Sequence, residues 1–118
     1  MNVEELRHIC LSKKGVTEEF PFDEHTLVFK VMGKMFALIA LERLPPQCNL
    51  KCDPERAVEL REEHDGDIIP GYHMSKKHWN TIFLENLPPA LINELIDHSY
   101  ELVVSGLTKK LREELGKM

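Results

Sequence analysis

The chain has 118 residues, 42% of them hydrophobic and 30% charged, with a net charge of −5 and an isoelectric point near 5.7. That length suits one domain spanning residues 1–118 and can bury about two thirds of the surface an unfolded chain exposes. The acidic balance excludes a dedicated polybasic nucleic-acid or membrane binder but leaves room for a local basic patch. The longest apolar run, Met35 to Leu41, has seven residues, against roughly 20 for a spanning helix, so no membrane partner is expected. The N-terminus MNVEELRHIC has no apolar export segment. Together with three cysteines, this predicts reduced thiols and a cytoplasmic location.

Asn2 as N-cap with Glu5 three residues on, followed by Val3, Leu6, Ile9 and Cys10 at helical spacing, predicts a helix over about 3–14, with Gly15 stopping it. Residues 16–24 are acidic and hold Phe20-Pro21-Phe22, which predicts an irregular or edge segment. Leu27 to Met32 then alternates with a period of two. A turn at Gly33-Lys34 leads into the apolar run 35–41, so a hairpin is expected. Its second strand is apolar on both faces and belongs in the middle of the sheet. Residues 47–52 form the next strand, with Cys48, Leu50 and Cys52 on one face and Asn49 and Lys51 on the other. Asp53-Pro54-Glu55 starts a helix that runs to about His64, where Gly66 ends it. Residues 68–78 read as a loop with a short extended piece. Residues 79–84 read as a strand with Trp79, Thr81 and Phe83 on one face. Pro88-Pro89 opens a long helix with a wide apolar stripe. Gly106 ends it, and Thr108 caps a short terminal helix. The order predicts an α+β fold with an antiparallel sheet rather than alternating βαβ units.

Three groups of side chains could carry chemistry. Cys48 and Cys52 on one strand stand about 13 Å apart, too far for a disulfide or a shared metal, and read as small buried hydrophobes. The segment Tyr72-His73-Met74-Ser75-Lys76-Lys77-His78-Trp79 is the densest polar set in the chain. Aromatics beside cations suit a surface that holds phosphates and stacks bases; the competing reading is solvated lysines beside a core tryptophan. Strand parity places Lys30, Asn49 and Lys51 on one sheet face. With Asn80, and with Lys76 and Lys77 at the rim, they would form a wet basic face. No phosphate-loop, dinucleotide, zinc-protease or hydrolase signature is present in the sequence, so neither a catalytic residue, a metal ligand nor a cofactor is expected.

The hairpin Phe29-Lys30-Val31…Gly33-Lys34-Met35-Phe36-Ala37, the Leu50-Lys51-Cys52…Pro54-Glu55 junction, the run Pro70 to Ile82 and Ser99-Tyr100 together resemble the MmcQ/YjbR family of small bacterial proteins. The element Lys76-x-His78-Trp79 is the most specific part. The resemblance covers essentially the whole chain. It implies a CyaY-like fold with helices packed on one face of an antiparallel sheet. It also implies a double-wing DNA-binding role, with the Gly33-Lys34 hairpin as one wing and the segment His73 to Trp79 near the second. No catalytic residue comes with the family.

The function expected from these readings is weak, salt-dependent DNA binding by a monomer, without catalysis, through Lys30, Lys34, Lys51, Lys76, Lys77, His78 and Trp79. The alternative is a non-enzymatic protein- or small-ligand-binding module that uses the exposed sheet face. A metal-handling role, by analogy with frataxin-like folds, would want an acidic ridge, and the first helix offers only Glu4 and Glu5. An enzyme using His73 or His78 as general base lacks a nameable nucleophile.

Overall fold

The computed structural model describes residues 1–71 and 74–118. Helix α1 (Val3–Ser12) opens as its cap dictates, with the Asn2 side chain accepting from the Glu5 N–H at 2.8 Å. It ends two residues before the expected limit, and Gly15 beyond it has φ +73°. Strands β1 (Val16–Glu19), β2 (Thr26–Val31), β3 (Lys34–Ala40) and β4 (Gln47–Lys51) follow. Then come α2 (Pro54–Glu63), β5 (Ile68–Pro70), β6 (Trp79–Phe83), α3 (Pro89–Ser105) and α4 (Lys109–Gly116). The six strands form one sheet in the order β1-β2-β3-β4-β6-β5, and every pairing is antiparallel. The acidic segment supplies β1 as an edge strand, and the doubly apolar β3 lies inside the sheet.

Two local features depart from the alternation read in the sequence. The β2–β3 turn sits at Met32-Gly33, both with positive φ (49° and 82°), one residue earlier than expected. That geometry matches the right-handed twist of a tight hairpin, and it makes Lys34 the first residue of β3. A bulge then shifts the register between Phe29 and Lys30, so that Phe29 faces Ala37 while Lys30 faces Met35. Phe36 is the extra residue, and it joins Ala37 in the helix-side core.

The four helices among the described residues cover the same face. α3 lies across β2, β3 and β4, α1 against β1, and α2 against β5. Leu6, Cys10, Ile92, Leu95, Ile96, Val103 and Leu115 from the helices meet Leu27, Phe29, Ile39, Leu50 and Ile82 from the sheet. Ser99, fully buried in the α3 stripe, fastens the two layers. Its hydroxyl donates to the Phe36 carbonyl at 2.5 Å and accepts from the Lys51 N–H at 2.9 Å. The bulge carbonyl and a strand-end N–H, both left over by the ladder, are thereby served.

Among the described residues no helix lies on the opposite face, yet it is not the wet surface that parity suggests. Val28, Leu38 and Trp79 are buried there, with Met35 and Met74 packed against them, and Thr81 is buried beside them. Gly71 makes this closure possible. Its N–H donates to the Trp79 carbonyl at 2.8 Å, and a Cβ at this position would stand 2.8 Å from the Trp79 Cβ.

Candidate nucleic-acid interface

The β2 C-terminus, the β3 N-terminus, the β4 C-terminus and the β6 N-terminus all meet at one end of the sheet. This topology gathers the expected residues. Lys34 opens β3, Lys51 closes β4, and the exposed turn Lys76-Lys77-His78 leads into β6. A groove of about 290 Å³ runs round this end, lined by Lys34, Met35, Lys51 and Trp79 from the sheet and Leu102, Val103 and Gly106 from α3. Lys34 and Lys51 thus flank the C-terminus of α3, where the helix dipole favours cations.

The lysine turn is held by main-chain bonds. The His78 and Trp79 N–H groups donate to the Ser75 carbonyl at 3.1 and 2.9 Å, and the His78 carbonyl accepts from the Cys52 N–H at 2.8 Å. Arg61 of α2 completes the hold. Its Nε donates to Asn80 Oδ1 at 2.7 Å and its Nη2 donates to the Lys76 carbonyl. Arg61 is thus a positioning residue for the turn.

Three expected contributors stand differently. Trp79 is only 8% exposed; its ring belongs to the second core cluster, so it supports the turn rather than offering a face for stacking. Lys30 does lie on the helix-free face, but its Nζ is paired with Glu19 on the neighbouring β1. Asn80 points the other way, into the helical layer, with its Nδ2 donating to the Ala57 carbonyl at 3.4 Å. Its partner Leu50 is a covered-face residue, so parity fixes Asn80 there too. His73 lies outside the described residues.

The net charge of −5 conceals a separation. The far end of the sheet carries the β1–β2, β3–β4, α2–β5 and β6–α3 loops, with Asp23, Glu24, Glu42, Asp65, Asp67 and Glu85. At the near end Lys13 is engaged with Asp97 and stacks 5.5 Å over the Tyr100 ring, while Lys34, Lys76 and Lys77 stay exposed.

The thiols have no part in this surface. Cys10, Cys48 and Cys52 are free and buried. Burial raises all three, Cys10 to about 12 and Cys48 well above its ordinary value, so the protonated, inert form prevails. Among the described residues no group of three or more His, Cys, Asp or Glu side chains is placed to hold a metal ion. No helix among them is long and apolar enough to cross a membrane.

The fold and site define a small α+β protein with a six-stranded antiparallel sheet, helices on one face and a cationic strand end. The chain matches the YjbR family over residues 11–102, and it belongs to that family. It is 39% identical over 108 residues to the uncharacterised Escherichia coli O157:H7 protein YbdF, covering 91% of this chain and 88% of that one. It is 34% identical to the uncharacterised E. coli K12 protein YjbR, with both chains covered in full. A crystal structure of the Deinococcus radiodurans protein DR2400, assigned to DUF419, superposes with a TM-score of 0.90 at 46% identity, over 98% of this chain and 88% of that one. A Pseudomonas syringae protein superposes with a TM-score of 0.74 at 27% identity, over 86% and 98%.

Proposed function

We propose that the chain is a non-enzymatic nucleic-acid-binding module that grips the phosphate backbone of DNA through the lysine end of its sheet. The observation that carries this reading is the gathering of Lys34, Lys51, Lys76 and Lys77 at one strand end, while Asp23, Glu24, Glu42, Asp65, Asp67 and Glu85 stand in loops at the other. Lys34 stands beside the Met32-Gly33 hairpin tip, which serves as a wing, and the turn bearing Lys76, Lys77 and His78 lies across from it. The contacts are made by a monomer and go to phosphates; with Trp79 buried, stacking adds little, so duplexes of different sequence bind alike.

Four lysines that each neutralise one phosphate give a log–log salt slope of about −3.6 on duplex DNA, a loss of roughly 10²-fold in affinity between about 50 and 200 mM salt. Fluorescence anisotropy of a labelled mixed-sequence duplex measures this directly. A slope near zero, or no binding at the lower salt, overturns the reading.

A further inference from the structure

A second groove, of about 390 Å³, opens on the helix-free face toward the acidic end of the sheet. Its size falls in the lower part of the range for small-molecule sites, about 300–1,000 Å³. Leu38 and Ala40 form an apolar floor, and Phe22 and Met74 also line it. The Phe22 ring is 65% exposed, which is unusual for a large aromatic that could have turned inward. It is held at the groove by its neighbour: Asp23 Oδ1 accepts from the His25 and Thr26 N–H groups at 2.8 and 2.6 Å, and Oδ2 accepts from Thr26 Oγ1 at 3.2 Å. Those bonds engage the carboxylate within its own loop and lower its pKa below the ordinary value.

The remaining polar lining consists of donors. Asn49 Oδ1 accepts from Thr81 Oγ1, which leaves the carboxamide NH₂ as its available end. Arg43 also lines the groove. A guanidinium has five N–H donors, enough to serve an acceptor in addition to the contact Arg43 already makes. An apolar slot with donors at its edge is complementary to an apolar body that carries an anionic acceptor.

We propose that this groove binds a small carboxylic acid with a ring-sized apolar body. The carboxylate is held by Arg43 and Asn49, and the body lies on Leu38 and Ala40 beside Phe22 and Met74. The site stands apart from the lysine end and does not depend on nucleic-acid binding.

Naphthylacetate and its neutral analogue naphthylacetamide test this by two-dimensional amide NMR of the full chain. Naphthylacetate should shift the Leu38, Ala40, Asn49 and Met74 amides saturably and bind about tenfold more tightly than the amide, reflecting a charge-assisted pair. Arg43→Gln should bring the two probes to equal affinity. Phe22→Ala, at an exposed site where folding is safe, should weaken both, and Ala40→Phe should block both with the melting temperature retained. Absence of saturable shifts at these amides with millimolar probe overturns the site. Equal affinity of acid and amide for the unmutated chain overturns the carboxylate assignment, as does an acid preference that survives Arg43→Gln.

Discussion

The two faces of the sheet are closed by different means. The covered face distributes its burial over side chains from four helices, and Ser99 bonds one of those helices to two strands. The other face concentrates its burial in one large residue, Trp79, packed with Val28 and Leu38 and backed by Gly71. The contrast teaches that an antiparallel sheet without a second helical layer need not be wet, because a single tryptophan and a close-packed glycine can dry its centre. It also shows why the lysines end up at the strand ends: the middle of the helix-free face is already occupied.

If the second face rests on one residue, truncating that residue should have the largest effect on stability. Trp79→Ala should cost about 3–5 kcal/mol, read as a urea midpoint shift with an unchanged slope. A cost under about 1 kcal/mol would break the contrast. Gly71→Ala attacks the same face through its backbone, since the new Cβ would stand 3.0 Å from the Trp79 carbonyl oxygen as well as against its Cβ. It should cost about 1–3 kcal/mol, the range for forcing extra volume into a packed core.

On the covered face, Ser99→Ala leaves the Phe36 carbonyl and the Lys51 N–H without their partner. It should also cost about 1–3 kcal/mol, with hydrogen exchange accelerated at Lys51 specifically. A smaller, pH-dependent effect belongs to His98. Its Nε2 accepts from the Asp53 N–H at 3.2 Å, and burial, followed by the nearby Arg56 cation, lowers it below its ordinary 6.5. The unfolded chain therefore binds more protons than the folded one as pH falls below that value. The contribution to stability is full above pH 6.5 and is lost as pH drops through the folded value. His98→Gln should flatten that stretch of the melting-temperature profile. The least effect is expected from Lys30→Gln, whose partner Glu19 is 42% exposed. It should cost under about 1 kcal/mol and leave DNA affinity within about twofold.

Legibility in the sequence followed how local each cause was. The helix caps at Asn2, Asp53 and Thr108 and the two-residue periods of β2, β4 and β6 depend on near neighbours, and they could be read. So could the face shared by Lys30, Asn49 and Lys51. The turn falls one residue earlier than the glycine predicts because Met32 adopts a positive φ that its side chain disfavours. The bulge at Phe36 left no mark in an apolar run that reads the same on both faces. The fate of Trp79 depends on Gly71 approaching from the segment just after β5, and Lys30 loses its free charge to Glu19 across a pairing that no spacing reveals. Nothing in the sequence marks Arg61 as a positioning residue, because its targets, Asn80 and the Lys76 carbonyl, are distant in the chain.

The most direct test of the central claim compares salt slopes for duplex DNA across three proteins: the unmutated chain, Lys76→Glu/Lys77→Glu, and Arg43→Glu at the far end. Because both substituted lysines are exposed in a turn held by main-chain bonds, the fold should be retained. The account predicts a slope of about −3.6 for the unmutated chain and for Arg43→Glu, and a weaker slope of about −1.8 for the double variant. Equal slopes for the unmutated chain and the lysine double variant, or loss of binding on Arg43→Glu alone, would contradict it.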